Sequence, residues 1–459
     1  MKMSLRIRLG LVLALAAALA GCEGPCSSLK SINGPTLSAN GLDLTTYVAV
    51  GTSLSSGYQS SGLVDRHQVH SFPSLFARQI GKTVETSGGS GTFTQPTINF
   101  DGIPALLEIK SLKPLVISNQ GRTTGAPTNL AQGTAYHNMG IPGALMVDLV
   151  DTTHYHASVA PVFRTNYTYF NLIQRGRGTV LSQALSLHPT LMSIEYGANE
   201  VLGPTTSGVA PSTLTGPAYA QLMTAALNAI HTLSPTTKVA VFNVPEVTSI
   251  PYFTTFPPFT LNVVTGQPTP LLGASGPLTA DDLVLLPAGT LLATGTGFPT
   301  NGANYITGAG VGNGQPLPES LILRGAEKAT ASSQIAAINA VVDSVSLRPW
   351  VAKVEIHDYF ANIKANGIRI GANHYTTDFV KGGLFSLDGV HPNDLGYALM
   401  ANRLIQGVNA RFGSAIPEVN PAQYAGTTAS RATPAMDTFY PADLAGMAES
   451  FSILFPGQR

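Results

Sequence analysis

The sequence predicts an α/β protein: a single parallel sheet covered by helices on both faces, in three layers. Three observations predict it. Short apolar, β-branched runs read as buried strands. They alternate with segments of helical spacing, the pattern of a parallel sheet rather than of hairpins. Residues able to do chemistry recur directly after these runs, where the carboxyl edge of such a sheet lies.

Taken in order, Thr46 to Val50 (TYVAV) reads as the first strand and ends at Gly51. Ser71 to Ile80 places Phe72, Leu75, Phe76 and Ile80 at helical spacing. Residues 83 to 136 are loop-rich. Gly178 to Leu187 reads as a helix leading to a buried strand, Leu191 to Tyr196. Gly216 to Leu233 is an Ala- and Leu-rich helix pattern, and Lys238 to Val244 a central strand. The stripe Leu222, Ala226, Ala229, Ile230 and Leu233 reads as its core face. Pro251 to Pro316 is dense in Pro, Gly and Thr and too long for an ordinary loop, so it reads as an insertion over one end of the domain. Pro318 to Val345 is helical, Val351 to His357 a strand, and Asn393 to Phe412 the last helix. The domain therefore spans about 45–412, with the insertion at about 251–316 and a weakly periodic tail over 413–459.

The N-terminus reads as a targeting segment. Lys2, Arg6 and Arg8 precede an apolar run from Leu9 to Ala20, too short to cross a bilayer. Leu19-Ala20-Gly21-Cys22 resembles the bacterial lipobox. Residues 1–21 are then a signal peptide, Cys22 the lipidated residue and 22–44 a Gly-, Ser- and Pro-rich tether. The expected location is the bacterial cell envelope, lipid-anchored, with the outer membrane favoured because Glu23 follows Cys22. Lipidation leaves Cys26 alone, which excludes an intrachain disulfide and a Cys-based metal site.

Composition excludes other classes. Apolar residues are 44% and charged residues 11%, unlike a disordered chain. Basic and acidic residues are 25 each, so no surplus of cations exists to neutralise phosphates and nucleic acid is not an expected partner.

Four places carry chemistry. Ser53, in Gly51-Thr52-Ser53-Leu54, follows the first strand on a strand-to-helix turn, the usual presentation of a nucleophilic Ser. Alone, a helix cap explains it more readily. Asp388-Gly389-Val390-His391-Pro392 lies before the last helix. An Asp three residues ahead of a His can reach its ring nitrogen and fix its tautomer, although a capping loop explains the spacing equally well. Asn199, in Gly197-Ala198-Asn199-Glu200, offers a side-chain amide to an oxyanion, and Asn138 to Ala144 offers a Gly-rich backbone. A plain turn explains either of these last two.

In combination, the order Ser, Gly, Asn and Asp-x-x-His resembles the SGNH (GDSL) hydrolase superfamily, from about Thr46 to Phe412. YVAVGTSLSSGY is close to its first block and DGVHPNDLGYALMA to its last. The resemblance implies a flavodoxin-like sheet. It makes Ser53 the nucleophile, His391 the base and Asp388 its partner, with Ser53, Gly143 and Asn199 forming the oxyanion hole. It implies a serine ester hydrolase of the bacterial lipoprotein lipase or acylhydrolase branch, working through an acyl-enzyme without metal or cofactor. A carbohydrate or peptidoglycan O-acetyl esterase is the alternative, and a silent ligand-binding surface lipoprotein the rival. Two positions depart from the pattern: Thr52 stands for the GDSL Asp, and Glu200 for the Asp after the block Asn.

Other candidates read as ordinary structure. His154 and His156, with Asp148 and Asp151, read as a polar loop rather than a metal site, and His67 and His70 as surface or packing residues. Asn166 opens a glycosylation pattern that is irrelevant in most bacteria. Membrane anchoring and the apolar insertion (Tyr252, Phe253, Phe256, Phe259, Leu261) point to an acyl or lipid ester as substrate.

Overall fold

Five short strands form the central sheet: β1 (Tyr47–Gly51), β2 (Asn138–Gly140), β3 (Leu191–Glu195), β4 (Lys238–Phe242) and β5 (Val351–Val354). The computed structural model describes residues 36–112, 115–152, 167–426 and 441–443. The expected signal peptide, Cys22, most of the tether, His154, His156, Asn166 and most of the tail beyond Gly426 lie outside these residues.

The strand order is β5-β4-β3-β1-β2 and every pair is parallel. Each crossover must therefore run over a face of the sheet. Successive side chains of a strand point to opposite faces, and both faces are buried. Val48, Val50, Met192, Ile194, Val239 and Val241 join one apolar cluster; Tyr47, Ala49, Leu191, Ala240 and Phe242 join another. This explains why the strands read as continuous apolar runs.

The helices around the sheet include α1 (Ser53–Ser56), α2 (Phe72–Gln79), α3 (Val180–Ser186), α4 (Asn199–Thr205), α5 (Thr215–Leu233), α6 (Gly325–Val345), α7 (His357–Asn366) and α8 (Asp394–Phe412). Helices α3, α5 and α6 cover the first face, α2 and α8 the second. The last helix is bounded by its own chemistry. The Asn393 side chain accepts the Gly396 N–H at 3.1 Å, and Gly413 closes the other end at φ +73°.

Three elements differ from expectation. Residues 318–324 are not helical: they make a 3-10 turn and a two-residue strand, Ile322–Leu323, paired with Leu283–Val284. The strand expected over 351–357 ends at Val354, and His357 opens α7. The loop-rich region 83–136 contains an antiparallel pair, Glu108–Leu112 with Leu115–Ser118. Of the α5 stripe, Ala226 and Ile230 are buried and Leu222 and Ala229 partly so, but Leu233 is exposed.

The segment 251–316 is built of short hairpins and turns, as Phe259–Leu261 with Pro268–Pro270 illustrates. Tyr252, Phe253, Phe256, Leu271 and Leu285 sit in the same cluster as Val48 and Ile194. Beyond α8 the chain packs back: Ile416 and Val419 are buried, and Asn402 exchanges two hydrogen bonds with Val419. Ser38 and Ala415 form an antiparallel bridge, and Asn40 donates to Gly413, so the two ends of this body lie side by side.

Candidate active site

Two segments from opposite ends of the chain converge at the carboxyl edge of the sheet. Ser53 opens α1 directly after β1, and Asp388 and His391 lie on the loop that leads into α8. The His391 Nε2 is 2.9 Å from the Ser53 hydroxyl, and its Nδ1 is 3.0 Å from Asp388 Oδ2. All three are at least 95% buried, so the imidazole lies between hydroxyl and carboxylate away from bulk water. The Tyr58 ring packs edge-on against His391 at 4.9 Å.

Asp388 is held from several sides. Its Oδ1 accepts the N–H groups of Val390 and His391 and the Ser386 hydroxyl, and its Oδ2 accepts the Ser61 N–H. Burial pushes the carboxyl up, but the charge and hydrogen bonds of His391 and the Ser61 N–H outweigh it and hold Asp388 below its ordinary value. Ser60 and Ser61 adopt left-handed backbone, φ +51° and +60°, which costs on the order of 1–3 kcal/mol each. That conformation presents the Ser61 N–H to Asp388 and the Ser60 N–H to Ser386.

Of the three expected oxyanion donors, Ser53 and Asn199 line one pocket with His391, and Gly143 lies on the turn that follows β2. Ser53 is the first residue of its helix, so its N–H has no intrahelical acceptor. Strand β2 runs alongside β1, with Gly140 opposite Gly51, and leads into the Gly143 turn at φ +79°. A Cβ at Gly140 would fall 2.4 Å from the Ser56 N, so only glycine lets α1 settle on this strand. Asn199, the first residue of α4, is buried and lines the same pocket as Ser53 and His391. One of its amide protons goes to the Ala144 carbonyl at 2.8 Å, which ties it to the Gly143 turn. Glu200 accepts the Met146 N–H at 2.6 Å and steadies the same loop.

The pocket is a cleft of about 730 Å³, its open mouth included. Leu54, Leu202, Val247, Ile250, Phe360 and Phe385 supply much of its wall. The five apolar residues named in the insertion do not: Tyr252, Phe253 and Phe256 are core residues, Phe259 is half-buried away from the cleft and Leu261 faces solvent.

Glu195 was not singled out from the sequence. It ends β3 opposite Gly51 and is 3% exposed. It accepts the Thr52 N–H at 3.0 Å, the Thr52 hydroxyl at 2.9–3.0 Å and the Ser55 hydroxyl at 3.0 Å. Burial pushes its carboxyl up to about 7 against these hydrogen bonds. A charged residue closing a buried strand, LMSIE, was the signal available. Ser60 and Ser61 carried none, since their contribution comes mainly from backbone N–H groups.

His67 and His70 are packing residues. Their Nδ1 atoms meet the two oxygens of the buried Asp394 at 3.0 and 2.9 Å. Among the described residues no group of three or more His, Cys, Asp or Glu is placed to hold a metal ion, and no helix is long and apolar enough to cross a membrane.

The parallel sheet thus carries hydroxyl, imidazole and carboxylate in line at its carboxyl edge. The chain belongs to the GDSL-like lipase/acylhydrolase family, whose sequence profile matches residues 47–404. It is similar to two solved structures. One is a GDSL-like lipase from Parabacteroides merdae, with 14% identity and a TM-score of 0.34 over 80% of this chain and 98% of that one. The other is an extracellular lipase from Streptomyces rimosus, with 16% identity and a TM-score of 0.32 over 80% and 99%. No curated protein matches the chain.

Proposed function

We propose that the protein hydrolyses carboxylic esters through an acyl-enzyme on Ser53. The observation that carries this reading is the unbroken line of hydrogen bonds from the Ser53 hydroxyl through His391 to Asp388. His391 Nε2 takes the Ser53 proton as the oxygen attacks the ester carbonyl. Asp388 holds the ring with Nδ1–H toward it and stabilises the imidazolium. The N–H groups of Ser53 and Gly143 and the amide of Asn199 receive the oxyanion. The tetrahedral intermediate collapses as His391 protonates the leaving alcohol. Water, deprotonated by His391, then attacks the acyl carbon and releases the acid and free Ser53.

The apolar wall favours an acyl chain over an O-acetylated sugar, which would leave that wall wet and its own hydroxyls without partners. Each buried methylene contributes about 0.8 kcal/mol, so kcat/KM should rise up to about tenfold for every two methylenes until the cleft is full. Purified protein assayed on p-nitrophenyl esters from acetyl to long acyl should show this rise. Ser53→Ala should lose at least about 10³-fold in turnover and all labelling by a fluorophosphonate probe. Parent-like hydrolysis by Ser53→Ala would end the assignment, and a preference for acetyl over longer chains would end the acyl reading. The lipobox supports anchoring at Cys22, and Cys22→Ala should abolish incorporation of labelled palmitate.

A further inference from the structure

In the GDSL pattern an acidic residue precedes the nucleophile, and this chain has Thr52 there. We propose that Glu195 is the positioning residue of the nucleophile turn: its carboxylate, delivered from β3, holds Thr52 and Ser55 and thereby the backbone that carries Ser53. The inference rests on the reading of Ser53 as nucleophile.

The geometry converges on this carboxylate. One oxygen pair takes the N–H and the hydroxyl of Thr52 on one side of Ser53 and the hydroxyl of Ser55 on the other. Both flanks of the nucleophile are tied to a single group in the neighbouring strand. The strand register sets Glu195 directly opposite Gly51, and the room for it comes from that glycine. A Cβ on residue 51 would lie 2.9 Å from Glu195 Oε2 and 2.1 Å from the Ser55 hydroxyl. An Asp at 52 would set a second carboxylate against the first, and two such charges cannot both stay ionised in a buried site. Thr52 fits because it supplies a donor where a second acceptor would repel.

The chemistry argues for function over packing. A buried carboxylate accepting this many donors works only when ionised, and burial opposes that ionisation up to about neutral pH. Protonation turns one acceptor into a donor, so the Thr52 hydroxyl must reverse or a neighbouring donor loses its partner. The titratable groups that feel Glu195 are Tyr196 beside it, Tyr219 on α5 and Tyr397 on α8. Burial pushes all three phenols up, so they stay neutral and add no charge beside Glu195.

The test is Glu195→Gln, which keeps shape and removes charge. On p-nitrophenyl butyrate its kcat should fall about 10–100-fold with KM within about twofold, the scale of losing a charge-assisted hydrogen bond. The acid limb of log(kcat/KM) should be steeper in the parent than in the variant around neutral pH, by up to the one proton that Glu195 takes up. Its melting temperature at pH 8 should not fall below the parent's, because a buried charge has been removed. Thr52→Val should lose kcat in the same way and Thr52→Ser should restore it, so the inference stays testable if the Gln variant misfolds. Parent-like kcat and slope in Glu195→Gln, or a kcat loss matched by a lower melting temperature, would overturn the inference while leaving the esterase reading in place. A parent enzyme inert toward every ester and toward the fluorophosphonate would overturn both.

Discussion

Asn199 shows how one side chain serves two ends of the site. Its amide gives one proton to the Ala144 carbonyl, and the residue lines the pocket beside Ser53. Asn199→Ala should therefore lower kcat about 10²–10³-fold with a smaller change in KM, measured by steady-state hydrolysis, since an oxyanion donor acts in the transition state. Asn199, like Ser53, Asp388 and His391, was legible in the sequence because its chemistry is compressed into a short block. Glu195 and Ser61 were not. One acts across a strand pair from 140 residues away, and the other through a backbone N–H that any residue carries. Thr52 was legible as a departure, but its partner could not be read before the strand register was known.

At the scale of elements, α8 locks the site from below. Asp394, in its first turn, accepts from His67, His70 and Gln59, three residues of the segment that follows the nucleophile turn. Burial pushes this carboxyl up, but the two histidines hold it well below its ordinary value. Its ionised form therefore contributes stability above the ordinary carboxylate range, and that stability is lost as pH falls through the lowered value. Asp394→Asn should unfold at lower urea, by about 3 kcal/mol at pH 6, and the gap from the parent should narrow toward pH 2. The long helices and the central strands were readable because both their faces or one clear stripe are apolar. Strand β2 was not: it is three residues long, without a β-branched residue, and exists by pairing with β1. The Pro318 boundary failed for a similar reason, since Ile322–Leu323 is fixed by a strand some 40 residues away. Helix α7 begins two residues after β5, with no turn signal between them.

At the scale of the molecule, the segment expected as a cover over one end is part of the body. Phe256, Leu271, Val284, Leu285, Leu292 and Phe298 are buried in the cluster that includes the sheet. Burying each side chain contributes about 1.5–3 kcal/mol, and domains of ordinary stability have only about 5–15 kcal/mol in all. A chain lacking residues 255–316 should lose its cooperative unfolding transition and bind a hydrophobic dye, as calorimetry and dye fluorescence would show. The placement of Glu195 bears on the whole as well. A carboxyl raised from about 4.5 to about 7 by folding contributes stability that is full below about pH 4.5 and lost as pH rises through about 7, roughly 3 kcal/mol at most.

The side-by-side meeting of Ser38 and Ala415 fixes how the enzyme can be mounted. Helix α8 starts beside His391 and runs about 28 Å to Gly413, so the junction of residues 38–40 with 413–415 lies about one helix length from the imidazole.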